Sequence, residues 1–106
     1  MPRWLAPLLR RIHALCAEGR VSFTLKALRE LALLDLGLDE HDALEVLRAL
    51  RAADFRDRLV SESTDEWLYV FNPRISGQVL YVKVIVRAGC VVVSFHEEAD
   101  DDDEDQ

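Results

Sequence analysis

The stretch GQVLYVKVIVRAGCVVVSFHEE, residues 77–98, decides the fold. It reads as two β-strands joined by a tight turn at Arg87, Ala88, Gly89 and Cys90. Side chains alternate along a strand, so residues two apart share a face. On the first strand Leu80, Val82, Val84 and Val86 form an apolar face, while Tyr81, Lys83 and Arg87 lie on the other. On the second, Val91, Val93 and Phe95 are apolar, and Ser94 and His96 lie opposite them. Folding the hairpin about Ala88 and Gly89 pairs 86 with 91, 84 with 93 and 82 with 95. The same register sets Tyr81 across from His96 and Lys83 across from Ser94. A loop of two or of four residues gives this register equally. Directly opposed residues have Cβ atoms roughly 5 Å apart. One face therefore builds a core, and the other gathers a tyrosine, a lysine and a histidine. Such a trio transfers protons and holds a phosphate without a metal.

The sequence before the hairpin has a different period. Leu5, Leu8, Leu9, Ile12 and Leu15 fall at helical spacing, and Gly19 is a natural stop. Residues 20–23 suit a short strand or an extended link. Thr24 can cap a helix through Leu25, Leu28, Leu31 and Ala32 to about Asp35, with Gly37 beyond it. Asp39 opens a third helix, with Asp42 at the third helical position in a capping-box arrangement and Leu44, Leu47 and Leu50 as its apolar stripe. After Asp54 and Phe55 the pattern turns extended. Residues 58–62 and 67–71 read as strands, Pro73 breaks the second, and Ser76 with Gly77 makes a turn. Helices first and strands after predict an α+β domain, with N-terminal helices packed on one face of an antiparallel β-sheet.

At 106 residues the chain suits one domain with one modest core. Its two cysteines, Cys16 and Cys90, match no zinc or redox spacing, so inert free thiols in a reducing cytoplasm are expected, with neither metal nor cofactor. No apolar run approaches the ~18–20 residues of a membrane span. The basic and apolar N-terminus is interrupted by Arg10, Arg11 and His13, and reads as a helix rather than a signal peptide. The net charge of −7 is unevenly placed. Eight of the 20 acidic residues lie in 97–105, so residues 1–96 carry 13 basic against 12 acidic side chains. The expected division is a domain over 1–98 and a disordered acidic tail over 99–106. The tail serves solubility, or it folds back as a polyanion onto a basic site and competes with a nucleic acid.

Several short pieces recur in a familiar order: AEGRV at 17–21, LGLD at 36–39, Asp54 with Phe55, Trp67, Pro73 with Arg74, GQV at 77–79, Tyr81, Lys83 and VSF at 93–95. In order and spacing they resemble the MqsR family of bacterial toxins, over about residues 12–97. The resemblance implies a RelE-like fold and a small cytosolic ribonuclease that cleaves mRNA. It also implies a co-encoded antitoxin as partner, with DNA engaged only indirectly through that antitoxin. Tyr81 matches the family's tyrosine of the penultimate strand. The family places a lysine after Val-Ser-Phe, where this chain has His96, and a glutamine after the tryptophan, where it has Leu68. It places another lysine soon after Asp-Phe, where this chain reads Arg56, Asp57, Arg58, so an arginine can substitute.

Metal-independent RNA cleavage needs a base for the 2′-OH proton, an acid for the leaving 5′-oxygen, and cations for charge building on phosphorus. An imidazole, with an ordinary pKa of ~6.5, suits proton transfer near neutrality better than an ammonium. His96 and Tyr81 are therefore the catalytic candidates. Lys83, Arg56, Arg58 and Arg74 are candidates to hold phosphates, and Trp67 to stack on an unpaired base. Bland roles are also open: a solvated His96, a core Trp67, and arginines paired with Asp57, Glu62 or tail carboxylates. His13 and His41 are expected to be surface or packing residues. The alternative to a nuclease is a catalytically weak RelE-like binding module that engages an antitoxin or RNA.

Overall fold

The computed structural model describes residues 1–100. Of the expected acidic tail, residues 101–106 lie outside the described residues. Helix α1 spans Leu5–Ala17 and buries Leu5, Leu9, Ile12, Leu15 and Cys16, the spacing that gives a helix one apolar stripe. The chain leaves α1 in a Schellman turn. Arg20 N–H donates to the Leu15 carbonyl (2.9 Å) and Gly19 N–H to that of Cys16 (3.2 Å), with Gly19 at φ +73°. That turn feeds β1, Val21–Phe23. Thr24 Oγ1 then caps α2, Leu25–Leu33, by accepting from Ala27 N–H at 3.1 Å. Helix α3, Glu40–Arg48, opens on a reciprocal box: Asp39 accepts from Asp42 N–H (2.8 Å), and Asp42 from Asp39 N–H (3.0 Å). A single 3₁₀ turn, Ala52–Asp54, leads into β2 (Phe55–Val60), β3 (Trp67–Phe71), β4 (Arg74–Ile75), β5 (Gln78–Val86) and β6 (Cys90–Glu97).

The strand order is β1-β6-β5-β3-β2, with β4 paired to β5. Strands β2, β3, β5 and β6 are antiparallel neighbours, as expected. Strand β1 adds a parallel partner to β6, so the sheet is mixed. The segment that read as strand or link is thus an edge strand whose partner lies at the far end of the chain. Core side chains Leu80, Val82 and Val84 of β5 and Cys90, Val92 and Phe95 of β6 pack with the apolar faces of all three helices. Each large aliphatic or aromatic side chain buried here contributes about 1.5–3 kcal/mol.

A helix end and a strand start differ from the sequence reading. Helix α2 ends at Leu33, because Leu34 turns extended (ψ 134°), and it buries Ala27 and Leu31 while Leu25 is 62% exposed. Its polar side meets β6 beyond β1, where Glu30 Oε1 accepts the Phe95 N–H at 2.9 Å. Strand β2 starts at Phe55, three residues earlier than the pattern suggested.

The register of the deciding hairpin is half as expected. Tyr81 pairs with His96, Val82 with Phe95 and Lys83 with Ser94. Beyond them the register shifts: Val84 pairs with Val92 and Val86 with Cys90, in place of Val93 and Val91. Val93 is the extra residue of a β-bulge, which reverses the in–out phase of the residues before it. Cys90 and Val92 therefore face the core instead of Val91 and Val93. The bulge falls where the outer neighbour of β6 changes. Up to Val92 that neighbour is β1; then Thr24 N–H donates to the Val92 carbonyl (3.0 Å) and Thr24 Oγ1 to that of Val93 (3.4 Å). Residues 94–97 lie past the bulge and keep the predicted phase.

Candidate active site

On the sheet face away from the core, Tyr81 and His96 stack with ring centroids 4.9 Å apart and planes 14° from parallel. Direct opposition across β5 and β6 places them so. They are 6% and 4% exposed, so His96 is enclosed rather than solvated. His96 Nδ1 lies 2.8 Å from the Glu97 carbonyl. A carbonyl only accepts, so Nδ1 carries a proton, and in the neutral ring Nε2 is the acceptor nitrogen.

Cations surround this pair. Lys83 Nζ and Arg56 Cζ each lie 5.7 Å from the Tyr81 ring centroid. Arg56 gets there through a register irregularity in β2 between Phe55 and Asp57, a device that re-aims a side chain. Its Nη1 is 3.4 Å from Glu98 Oε2, the tail-side pairing that the sequence left open. Ser94, fully buried, sits across from Lys83 and one in–out period from His96.

The structure does not bring every candidate here. Arg58 lies on the helix-facing side of the sheet, its guanidinium carbon 4.3 Å from the Trp4 ring centroid and 3.8 Å from that of Trp67. Trp67, 44% exposed, follows the parity of Tyr69 and Phe71 and so points to the same side. Arg74 is exposed on β4 at the rim of a groove of about 490 Å³, which Arg51, Asp54 and Asn72 also line. Leu68, at the family's glutamine position, shares the parity of Val70, the partner of Lys83. It offers that face an apolar side chain.

Sequence reasoning missed Lys26. Its Nζ donates to Ser94 Oγ at 2.9 Å and pairs with Glu30 Oε2 at 2.9 Å. Glu30 in turn accepts the Phe95 N–H through Oε1 at 2.9 Å, closing the edge of β6 beyond β1. No local signal marks either residue, because only the parallel docking of β1 carries α2 to this edge.

The remaining reactive groups belong to packing or to the surface. His13 Nε2 lies 3.1 Å from the Leu50 carbonyl, tying α1 to the exit of α3, and His41 is exposed. Burial pushes the Cys90 thiol up to about 12, with the Cys16 thiol adding to it. Burial also raises Cys16, against a lowering by Arg48. A thiol held protonated is a poor nucleophile.

A family model described as motility quorum-sensing regulator, toxin of MqsA, matches residues 7–97. No curated protein matches the chain. The matched span runs from the first turn of α1 to the last residue of β6, and so takes in all three helices and every residue of the stacked pair with its flanking cations, except the carboxylate of Glu98. By that match this chain belongs to the MqsR family, toxins of toxin–antitoxin pairs.

Proposed function

We propose that the protein is a metal-independent mRNA interferase, held in check in the cytoplasm by a cognate antitoxin. The observation that carries this reading is the Tyr81–His96 stack flanked by Lys83 and Arg56. In the reaction the 2′-oxygen attacks phosphorus and the P–O5′ bond breaks. One proton passes from the 2′-OH to the 5′-oxygen, leaving a 2′,3′-cyclic phosphate and a 5′-hydroxyl. His96 is the group suited to move it, through Nε2. Lys83 and Arg56 offset the charge on phosphorus, and the Tyr81 hydroxyl orients the phosphate. Among the described residues no helix is long and apolar enough to cross a membrane.

Substrate reaches the pair by displacing Glu98 from Arg56. Both side chains are about half exposed, and such ion pairs contribute only ~0–1 kcal/mol. An RNA phosphate offers Arg56 the stronger, bidentate partner. The same contact makes the start of the acidic tail a competitor for the site.

The test is incubation of the purified full-length chain with single-stranded RNA in EDTA. The expected product ends in a 2′,3′-cyclic phosphate. RNA left intact at enzyme excess would overturn the nuclease reading and favour the second one, a binding module for an antitoxin or RNA. The apolar Leu68 and the enclosure of the stack are what support that second reading.

A further inference from the structure

We propose that Lys26 is a substrate-binding residue, its ammonium gripping an RNA phosphate that flanks the scissile one. This rests on the ribonuclease reading and adds a contact that comes from a helix rather than from the sheet.

The argument starts from where Nζ is held. Ser94 is buried, yet its hydroxyl takes an N–H from Lys26 at 2.9 Å, so the ammonium stands over the same sheet face as the stacked pair. Ser94 pairs directly with Lys83. Opposed residues lie roughly 5 Å apart and residues two along a strand about 7 Å apart, which places Nζ one strand step from His96. That step is comparable with the spacing of neighbouring phosphates on an extended strand. Lys83 and Lys26 flank Ser94 from either side, one from the neighbouring strand and one from α2, and so form a pair of cations across β6 beside the proton-transfer group.

The bland account is an ordinary helical i,i+4 ion pair with Glu30, of the kind that contributes ~0.3–0.5 kcal/mol. Two features go beyond it. Glu30 is a fixed anchor: its side chain is 15% exposed and its other oxygen is committed to the Phe95 N–H. Lys26 is 51% exposed, so its head is positioned by Glu30 and Ser94 but open to solvent. An ammonium has three N–H donors, and these two partners account for two. The third is available to a phosphate oxygen without breaking either contact. A placed and solvent-open cation is what a phosphate contact requires, and the ordering of its long side chain is already met in the free protein.

The experiment measures binding of a fully 2′-O-methylated single-stranded RNA, which cannot be cleaved, to the full-length chain across a salt series. Each phosphate contact to a single strand contributes about 0.7 to the slope of log affinity against log salt. Lys26→Gln is expected to weaken binding several-fold at low salt and to lower that slope by about 0.7, while Lys26→Arg keeps it. Glu30→Gln retains an acceptor for the Phe95 N–H and removes the competing charge, so it is expected to strengthen binding. Glu45→Gln, on the far exposed pair with Arg48, reports the effect of net charge alone. An unchanged slope in Lys26→Gln, or a gain in Glu30→Gln no larger than in Glu45→Gln, overturns the assignment. Thermal midpoints of the variants confirm that each is folded. Cleavage of unmodified RNA by the unaltered chain reports the ribonuclease reading separately. If cleavage is intact and the slope is unmoved, only the role of Lys26 falls.

Discussion

Hairpins β2–β3 and β5–β6 use the same ingredients to opposite ends. Each carries aromatic rings and cations. In β2–β3 the cation lies between the rings: Arg58 is held by Trp4 and Trp67 on the helix-facing side. In β5–β6 the rings lie against each other, and Lys83 and Arg56 lie over the Tyr81 ring, each 5.7 Å from its centroid. A guanidinium enclosed by two indoles is a packing element, with its faces already taken. A cation that stands farther off, over one ring of a stacked pair, still has donors to offer. Strand parity, together with the register irregularity that re-aims Arg56, separates the two outcomes.

The sharpest way to break this comparison is to delete one ring from each hairpin. His96→Ala is expected to lower RNA cleavage by ~10²–10⁴-fold in single-turnover assays, the usual loss when acid–base help is removed. Tyr81→Phe should reduce it less. Trp67→Ala should leave cleavage within a few-fold, and full loss in that variant would place the β2–β3 hairpin in the site after all.

Next in size is the tail. Truncation after Glu98 is expected to raise RNA affinity or cleavage at low salt, and the difference should shrink near 0.5 M salt, where screening reaches a few Å. Adding Glu98→Gln, which removes the carboxylate on Arg56, should extend the gain. Moving the acidic block to the N-terminus on a flexible linker separates docking from the global field of the net charge. Equal affinity and rate for the full-length and truncated chains would leave the tail as a solubility device.

A smaller effect, on stability rather than cleavage, is expected from Arg58→Ala: about 1 kcal/mol in chemical denaturation, from two cation–π contacts and lost stem packing. The same substitution should leave the salt slope of RNA binding unchanged if Arg58 is only a packing element.

The smallest concerns the link between the hairpins. Arg87 Nε and Nη2 donate to the two oxygens of Glu66 at 2.7 and 2.6 Å. The hydrogen bond from Arg87 holds the Glu66 carboxyl down at about 2, from an ordinary 4.5. A carboxyl depressed by folding stabilises the fold above its unfolded value, and that contribution is lost as pH falls from about 4.5 through about 2. Glu66→Gln should therefore lower the denaturation midpoint slightly at pH 6 and not at pH 2. Equal midpoints at both pH values would show that the exposed pair contributes nothing measurable.

Much of this was legible in the sequence, and where it was not the reasons are physical. Leu5, Leu9, Ile12 and Leu15 announce α1 because a helical stripe is a local property. Tyr81 opposite His96 was legible because residues 94–97 share one phase with β5. The bulge at Val93 was not, since it arises where β1 gives way to α2 along β6, and no run of valines carries that information. Arg56 and Arg58 looked equivalent; the irregularity at the start of β2 sends one to each face. Lys26 was invisible for a related reason, as it reaches Ser94 across 68 residues of chain.

The parallel docking of β1 on β6 has a consequence in time. The chain must close on itself across nearly seventy residues before this edge exists. Pairing at such separation comes late, because the entropy of closing the loop opposes it until the contacts are made. Here it cannot begin until the last strand has been synthesised. Cys90 N–H then donates to the Arg20 carbonyl at 2.9 Å, and the same closeness makes Gly89 a tight position, where a Cβ would lie 3.1 Å from that oxygen. The β1 pairing, the seat of α2 and the histidine of the stacked pair thus arrive together, once β6 has been made. A chain that stops before β6 lacks both the stacked pair and the edge on which α2 sits.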